Sequence, residues 1–225
     1  MVIDLKKCVG CWGCSISCKE EHFLPRGILW NRVLISERGK FPTTEKVMVP
    51  ILCNHCEEPA CVEVCPTGAS LKRDDGIVMI DYDECTGCRA CVVACPYQQR
   101  TFYEGKDDEY FPGQGLTEFE RLGRKLYPLQ KGTVVKCNFC VERVEEGLKK
   151  GLKPGKDRDG TPACVNICPV AARTFGDLDD PSSEVSELIK RRKGTPFHEE
   201  FGTDPSVYYI AVSYTHLTLP TTPYV

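Results

Sequence analysis

The sequence predicts an α+β fold made of two cysteine-rich modules with loop insertions, and three observations carry that prediction. Sixteen cysteines occur in 225 residues, far above ordinary usage. They divide into four sets of four: Cys8, Cys11, Cys14, Cys18; Cys53, Cys56, Cys61, Cys65; Cys85, Cys88, Cys91, Cys95; and Cys137, Cys140, Cys164, Cys168. The sets are internal repeats of two kinds, and short strand signals run between them.

The first and third sets read C-x2-C-x2-C-x3-C, and the third continues into Pro96. This is the spacing of bacterial ferredoxins, in which the fourth cysteine ligates the other cluster. Three thiolates two residues apart wrap a loop around one face of a cubane and offer backbone N–H groups to its sulfides. The fourth cysteine is expected to begin a helix and point away. Disulfides suit a short secreted chain with a signal peptide. Met1-Val2-Ile3-Asp4 opens with no basic, apolar or twin-arginine segment, so no signal peptide is expected. Zinc sites with four thiolates are usually two separated C-x2-C pairs. Here two sets carry a third cysteine at the same spacing, and three sets end in Cys-Pro. Four 4Fe-4S clusters are therefore the expected cofactors.

Ile3-Asp4 before Cys8 corresponds to Ile80-Asp81 before Cys85, and Gly10 to Gly87, where glycine lets the backbone come close to the cluster. Cys53-Asn54-His55-Cys56 recurs as Cys137-Asn138-Phe139-Cys140, and Pro59-Ala60-Cys61-Val62 as Pro162-Ala163-Cys164-Val165. Between the halves of the fourth set, Val141 to about Thr161 reads as a solvated helix and loop. Cys95-Pro96 leads to Arg100-Thr101-Phe102 as Cys168-Pro169 leads to Arg173-Thr174-Phe175, so each Cys-Pro ends a short helix and launches a strand. Asp74-Asp75-Gly76 marks a hairpin between the second and third sets.

The second and third sets thus make an inner two-cluster module over 51–105. By elimination the first set (1–50) and the fourth (133–178) make an outer one. An insertion covers 106–132, an extension 179–212, and a stretch without Asp, Glu, Lys or Arg covers 213–225, which resembles translated adapter sequence and is set aside as non-native. The crossed ferredoxin pattern then assigns four ligand sets. They are Cys8, Cys11, Cys14 with Cys168; Cys137, Cys140, Cys164 with Cys18; Cys53, Cys56, Cys61 with Cys95; and Cys85, Cys88, Cys91 with Cys65.

Net charge is −3 with signs interspersed, which offers no basic stripe for nucleic acid. No stretch approaches the ~18 apolar residues of a membrane span. No nucleophile with its base and no phosphate-binding glycine loop occurs, so no catalytic residue is assigned. Trp12 reads as simple packing that shields a cluster, His55 as a half-exposed packing residue, Lys106 to Arg124 as a docking arm, and Glu184 to Lys193 as an amphipathic helix with a solvated basic face.

Trp30-Asn31-Arg32-Val33, Cys53-Asn54-His55-Cys56, Cys65-Pro66-Thr67-Gly68-Ala69 and Phe175-Gly176-Asp177-Leu178, with the four-set arrangement, resemble the iron–sulfur subunits of the dimethyl sulfoxide reductase superfamily. The likeness is greatest to those of polysulfide, thiosulfate, tetrathionate and arsenate reductases, and it covers residues 1 to about 212. The resemblance implies an electron-transfer subunit of an anaerobic respiratory oxidoreductase. Its partners would be a molybdopterin catalytic subunit near the first-set cluster and a quinone-reactive membrane anchor near the third. Some relatives replace the second cysteine of the third set and hold a 3Fe-4S cluster there; Cys88 implies a cubane. Membrane association would come through partners, on the periplasmic side by co-export or in the cytoplasm. The alternatives are a free-standing polyferredoxin, or a subunit of a hydrogenase or formate dehydrogenase.

Overall fold

Short elements follow from the way cysteine and proline punctuate this chain. The computed structural model describes residues 1–105 and 109–211, so the stretch 213–225 lies outside the described residues. The strands are β1 (Val2–Asp4), β2 (Asn31–Arg38), β3 (Glu45–Leu52), β4 (Ser70–Lys72), β5 (Val78–Ile80), β6 (Thr101–Tyr103), β7 (Thr133–Val135), β8 (Arg173–Thr174), β9 (Thr195–Pro196) and β10 (Tyr208–Ile210). The helices are α1 (Gly13–Glu21), α2 (Ala60–Glu63), α3 (Ala90–Ala94), α4 (Glu118–Leu126), α5 (Val141–Lys149), α6 (Ala163–Asn166) and α7 (Glu184–Arg192). Pro59 and Pro162 cap α2 and α6. Cys95 is extended at φ −75°, ψ 109°, because the residue before a proline is pushed out of the helical region.

The helix does not begin at the fourth cysteine, as the spacing led us to expect. It begins one residue ahead of the third, at Gly13 before Cys14, Ala60 before Cys61, Ala90 before Cys91 and Ala163 before Cys164. The fourth cysteine follows the third by four residues; in α1, Cys18 lies about one turn beyond Cys14 on the same face, whereas Cys65, Cys95 and Cys168 lie just past the ends of their short helices. Helix α1 packs on α6, and α2 on α3.

The termini of the described fold meet in one sheet, in the order β8-β1-β10-β9. β1 runs parallel to β10, with Ile3 opposite Tyr209, and antiparallel to β8. The segment 179–212 is therefore more than an extension, since it supplies an inner strand. Around this sheet lie Met1, Ile3, Leu24, Trp30, Leu52 and Tyr209, all nearly inaccessible, with Cys14, Cys18, Cys53, Cys137 and Cys164 in the same cluster. Each large side chain so buried contributes about 1.5–3 kcal/mol. The long hairpin β2–β3 pairs Asn31 with Leu52 through Arg38 with Glu45, and so crosses the boundary drawn at residue 50. β4 and β5 form the hairpin expected around Asp74-Asp75-Gly76, where Gly76 has φ +77°.

Three local expectations change. The part of 109–124 read as a docking arm folds back on the chain. Thr117 and Glu120 make a capping box for α4, Tyr110 Oη donates to the Leu24 carbonyl at 2.6 Å, and a Cβ on Gly123 would meet Phe23 Cβ at 2.6 Å. Helix α5 is not wholly solvated, because Val141, Val144 and Gly147 form a buried face. Gly147 allows Gly160 to lie against it, since a Cβ there would meet Gly160 Cα at 2.4 Å. On α7 the basic run is partly engaged, with Arg192 reaching Asp4 at 3.4 Å.

Candidate metal centres

None of the sixteen cysteines forms a disulfide, and their exposure is graded. Cys18, Cys137, Cys140 and Cys164 are all buried, whereas the only exposed ones are Cys11 and Cys88. The turns that carry them are wound through left-handed residues: Gly10 and Trp12 in the first set, Gly87 and Arg89 in the third, His55 in the second, Phe139 and Cys140 in the fourth. Successive N–H groups in such turns point inward and form a concavity for a negatively charged group, as at many iron–sulfur sites. The glycines also have a steric reason. A Cβ on Gly10 would lie 2.8 Å from Met48 Sδ, and one on Gly87 would lie 1.9 Å from the Gly132 carbonyl oxygen.

Four thiol neighbourhoods are present. Cys65, Cys85, Cys88 and Cys91 line one hollow together with Ser70 and Arg100. Burial pushes the Cys56 thiol up to about 12, with the charges of Cys53, Cys61 and Cys95 adding to it and a Thr203 hydrogen bond opposing it. Burial likewise raises Cys18 well above its ordinary value, reinforced by Cys137, Cys164 and Cys140. Cys8 is raised by burial and by Cys14 and Cys168, against a hydrogen bond from Gly10 and the charge of Arg173. Cys11 follows Gly10 in that same turn. Among the described residues no three Cys, His, Asp or Glu side chains converge on the place of a single metal ion.

Donors to sulfur accompany the thiols. The Ser70 N–H donates to Cys65 Sγ at 3.3 Å and the Ala172 N–H to Cys168 Sγ at 3.2 Å. These two fourth cysteines each open a repeated Cys-Pro step. Arg173 Nη1 donates to Cys164 Sγ at 3.5 Å. His22 Nε2 lies 3.3 Å from Cys140 Sγ. Burial, then the charge of Arg143, lowers His22 to about 4, so the ring is neutral near pH 7. Left-handed turns, inward donors to sulfur and thiols gathered in four places fit iron–sulfur clusters held by cysteine.

Residues 44–109 match the family model described as a 4Fe-4S dicluster domain. A Halobacterium salinarum protein named as an iron–sulfur subunit of dimethyl sulfoxide reductase is 43% identical over 93% of this chain and 78% of its own length. The arsenate respiratory reductase iron–sulfur subunit of Shewanella sp. strain ANA-3 is 40% identical, over 93% of this chain and 94% of its own. A tetrathionate reductase subunit of Salmonella typhimurium is 34% identical over 94% and 72%. The chain belongs to the iron–sulfur electron-transfer subunits of the dimethyl sulfoxide reductase superfamily. It carries iron–sulfur clusters and moves electrons within a reductase complex, while catalysis takes place in another subunit. No helix among the described residues is long and apolar enough to cross a membrane.

One of the expectations about single residues is overturned. His55 is not half-exposed but 1% accessible. Its Nδ1 accepts from the Val78 N–H at 3.1 Å, and its ring stacks on Phe139 at 3.8 Å. Trp12 is 38% exposed, which puts the indole at the surface beside the exposed Cys11. Arg100, Lys136, Arg173 and His22 lie among the thiols and were not singled out from the sequence. The echo Arg100-Thr101-Phe102 with Arg173-Thr174-Phe175 was the available signal for two of them.

Proposed function

We propose that this subunit is a relay of four 4Fe-4S clusters in two ferredoxin-like modules, each module exchanging its fourth cysteines between clusters. The ligand sets are Cys8, Cys11, Cys14, Cys168; Cys137, Cys140, Cys164, Cys18; Cys53, Cys56, Cys61, Cys95; and Cys85, Cys88, Cys91, Cys65. The carrying observation is the grading of exposure along the sets. Helix α1 of the first set packs on α6 of the fourth, Phe139 of the fourth stacks on His55 of the second, and α2 of the second packs on α3 of the third. The order is therefore first, fourth, second, third. The exposed thiols, Cys11 and Cys88, belong to the two ends, and the fourth set is wholly buried save for Cys168. Such an arrangement suits a conductor that meets a partner at each end and insulates the middle.

The partner at the first-set end is a molybdopterin catalytic subunit, and the one at the third-set end is a quinone-reactive membrane anchor, which ties the assembly to the membrane. The relatives named as subunits of dimethyl sulfoxide, arsenate and tetrathionate reductases support a multi-subunit complex over a free-standing carrier.

Metal analysis of anaerobically purified protein tests the count, with about sixteen iron atoms per chain and no zinc expected. Replacement of Cys18 by alanine tests the crossing. It is expected to remove the cluster held by Cys137, Cys140 and Cys164, about four irons, and to leave that held by Cys8, Cys11 and Cys14. Loss of the latter would overturn the exchange. Purification of the native complex is expected to bring down a large molybdenum protein; an isolated monomer would refute the assembly.

A further inference from the structure

Three cations are buried in this protein without an ion pair to a carboxylate among the described residues. Arg100, Lys136 and Arg173 are 4%, 2% and 5% accessible, and among the described residues none of them takes part in an ion pair. A buried unpaired charge is costly, so its countercharge must lie nearby. Cysteines are the main negative groups acting on Arg100 and Arg173, while Lys136 lies beside Cys137 and shares a hollow with Glu142 without an ion pair to it.

Their places are regular. Arg173 donates through Nη1 to Cys164 Sγ and through Nη2 to Asn31 Oδ1 at 3.0 Å. Its charge also acts on Cys14 and Cys168, so it stands between the first and fourth sets. Lys136 donates to the Cys137 carbonyl at 2.6 Å and to the Val78 carbonyl. Its charge acts on Cys137 and on Cys61, so it stands between the fourth and second. Arg100 lines the hollow of Cys65, Cys85, Cys88 and Cys91, donates to Ser70 Oγ, and acts on Cys61 and Cys53. It stands between the second and third. Arg100 Nη2 is buried without a hydrogen-bond partner. Each junction of the relay holds one buried cation.

We propose that Arg173, Lys136 and Arg100 are positioning charges, each shared by the two clusters of its junction, that raise and level the potentials of the neighbours they separate. The inference rests on the four-cluster relay proposed above. A cluster bound by four thiolates is negatively charged, and an arriving electron adds one more negative charge. A fixed cation stabilises the reduced state more than the oxidised one, and at low dielectric the effect is strong. Set between two clusters, it favours reduction of both. It thereby counteracts the repulsion that an electron on one exerts on the next.

The test is an EPR-monitored redox titration of the iron-loaded full chain as wild type, Arg100→Met, Arg100→Gln and Arg100→Lys, with iron measured on each. In the methionine and glutamine variants two of the four clusters are expected to shift to lower potential and the other two to stay, at wild-type iron content. Lysine should restore most of the shift. If methionine alone costs iron, the comparison of glutamine with lysine decides. Unchanged potentials in a fully loaded glutamine variant, equal potentials with glutamine and lysine, or loss of iron in all three would overturn the proposal. Iron well below sixteen atoms per chain in the wild type would instead refute the four-cluster relay.

Discussion

Gly87 shows how much of a metal turn is decided at one residue. It sits at φ +67° between Cys85 and Cys88, and an added Cβ would meet the Gly132 carbonyl oxygen at 1.9 Å and the Phe102 ring at 2.8 Å. The backbone strain alone costs about 1–3 kcal/mol, and the clash would separate the turn from the loop before β7. Gly87→Ala should lower the melting temperature of the loaded protein and its iron content. Gly68→Ala is the control, because φ there is +73° but nothing lies within 4 Å, so iron should be retained. The need for glycine was legible in the repeat of Gly10 and Gly87. The obstacle was not, since Met48 and Gly132 are far off in sequence. His55 and Phe139 teach the same lesson. Their equivalence is written in Cys-Asn-x-Cys, but the stacking of one copy's ring on the other's arises only when the second and fourth sets face each other.

Among the elements, α4 was hidden by composition. Lys106 to Arg124 mixes acids, glycines and aromatics, which reads as loop, yet Thr117-Glu118-Phe119-Glu120 contains the spacing of a capping box. Thr117 Oγ1 accepts from the Glu120 N–H, and Glu120 accepts from the Thr117 N–H at 2.7 Å. The same side chain also accepts from the Tyr110 N–H, which fixes the approach to the helix. Thr117→Ala should cost about 0.5–2 kcal/mol, read by thermal denaturation, with iron content unchanged because no cysteine touches the cap. The short helices of the four sets were better marked. Cysteine spacing placed them, and a Cys-Pro step follows three of them. Their starts differ from the expectation because the third cysteine, not the fourth, opens the helical turn.

At the scale of the whole molecule, five cysteines lie inside the main apolar cluster, so the core and the metal sites are built together. Removing metal leaves those thiols facing a hollow and leaves Arg100, Lys136 and Arg173 buried without an ion pair to a carboxylate. Such charges are expensive to bury, and metal binding in domains of this kind is part of the folding energy. Chelation should therefore convert the chain to a largely disordered state, seen as loss of far-ultraviolet dichroism and of amide protection. A cooperative, native-like melt of the iron-free protein would contradict this.

The sequence by itself determined the kind of cluster, the four cysteine sets and their repeats, because a thiolate's chemistry and the reach of a two-residue turn are local properties. Pro66, Pro96 and Pro169 act just as locally, on the residue before them. Tertiary structure alone decided which cysteine-bearing helices pack together, the inner place of β10 beside β1, and the burial of Arg100, Lys136 and Arg173. Those features depend on contacts between segments as distant as Val2 and Tyr208, and no local rule of spacing or propensity encodes which distant surfaces come together.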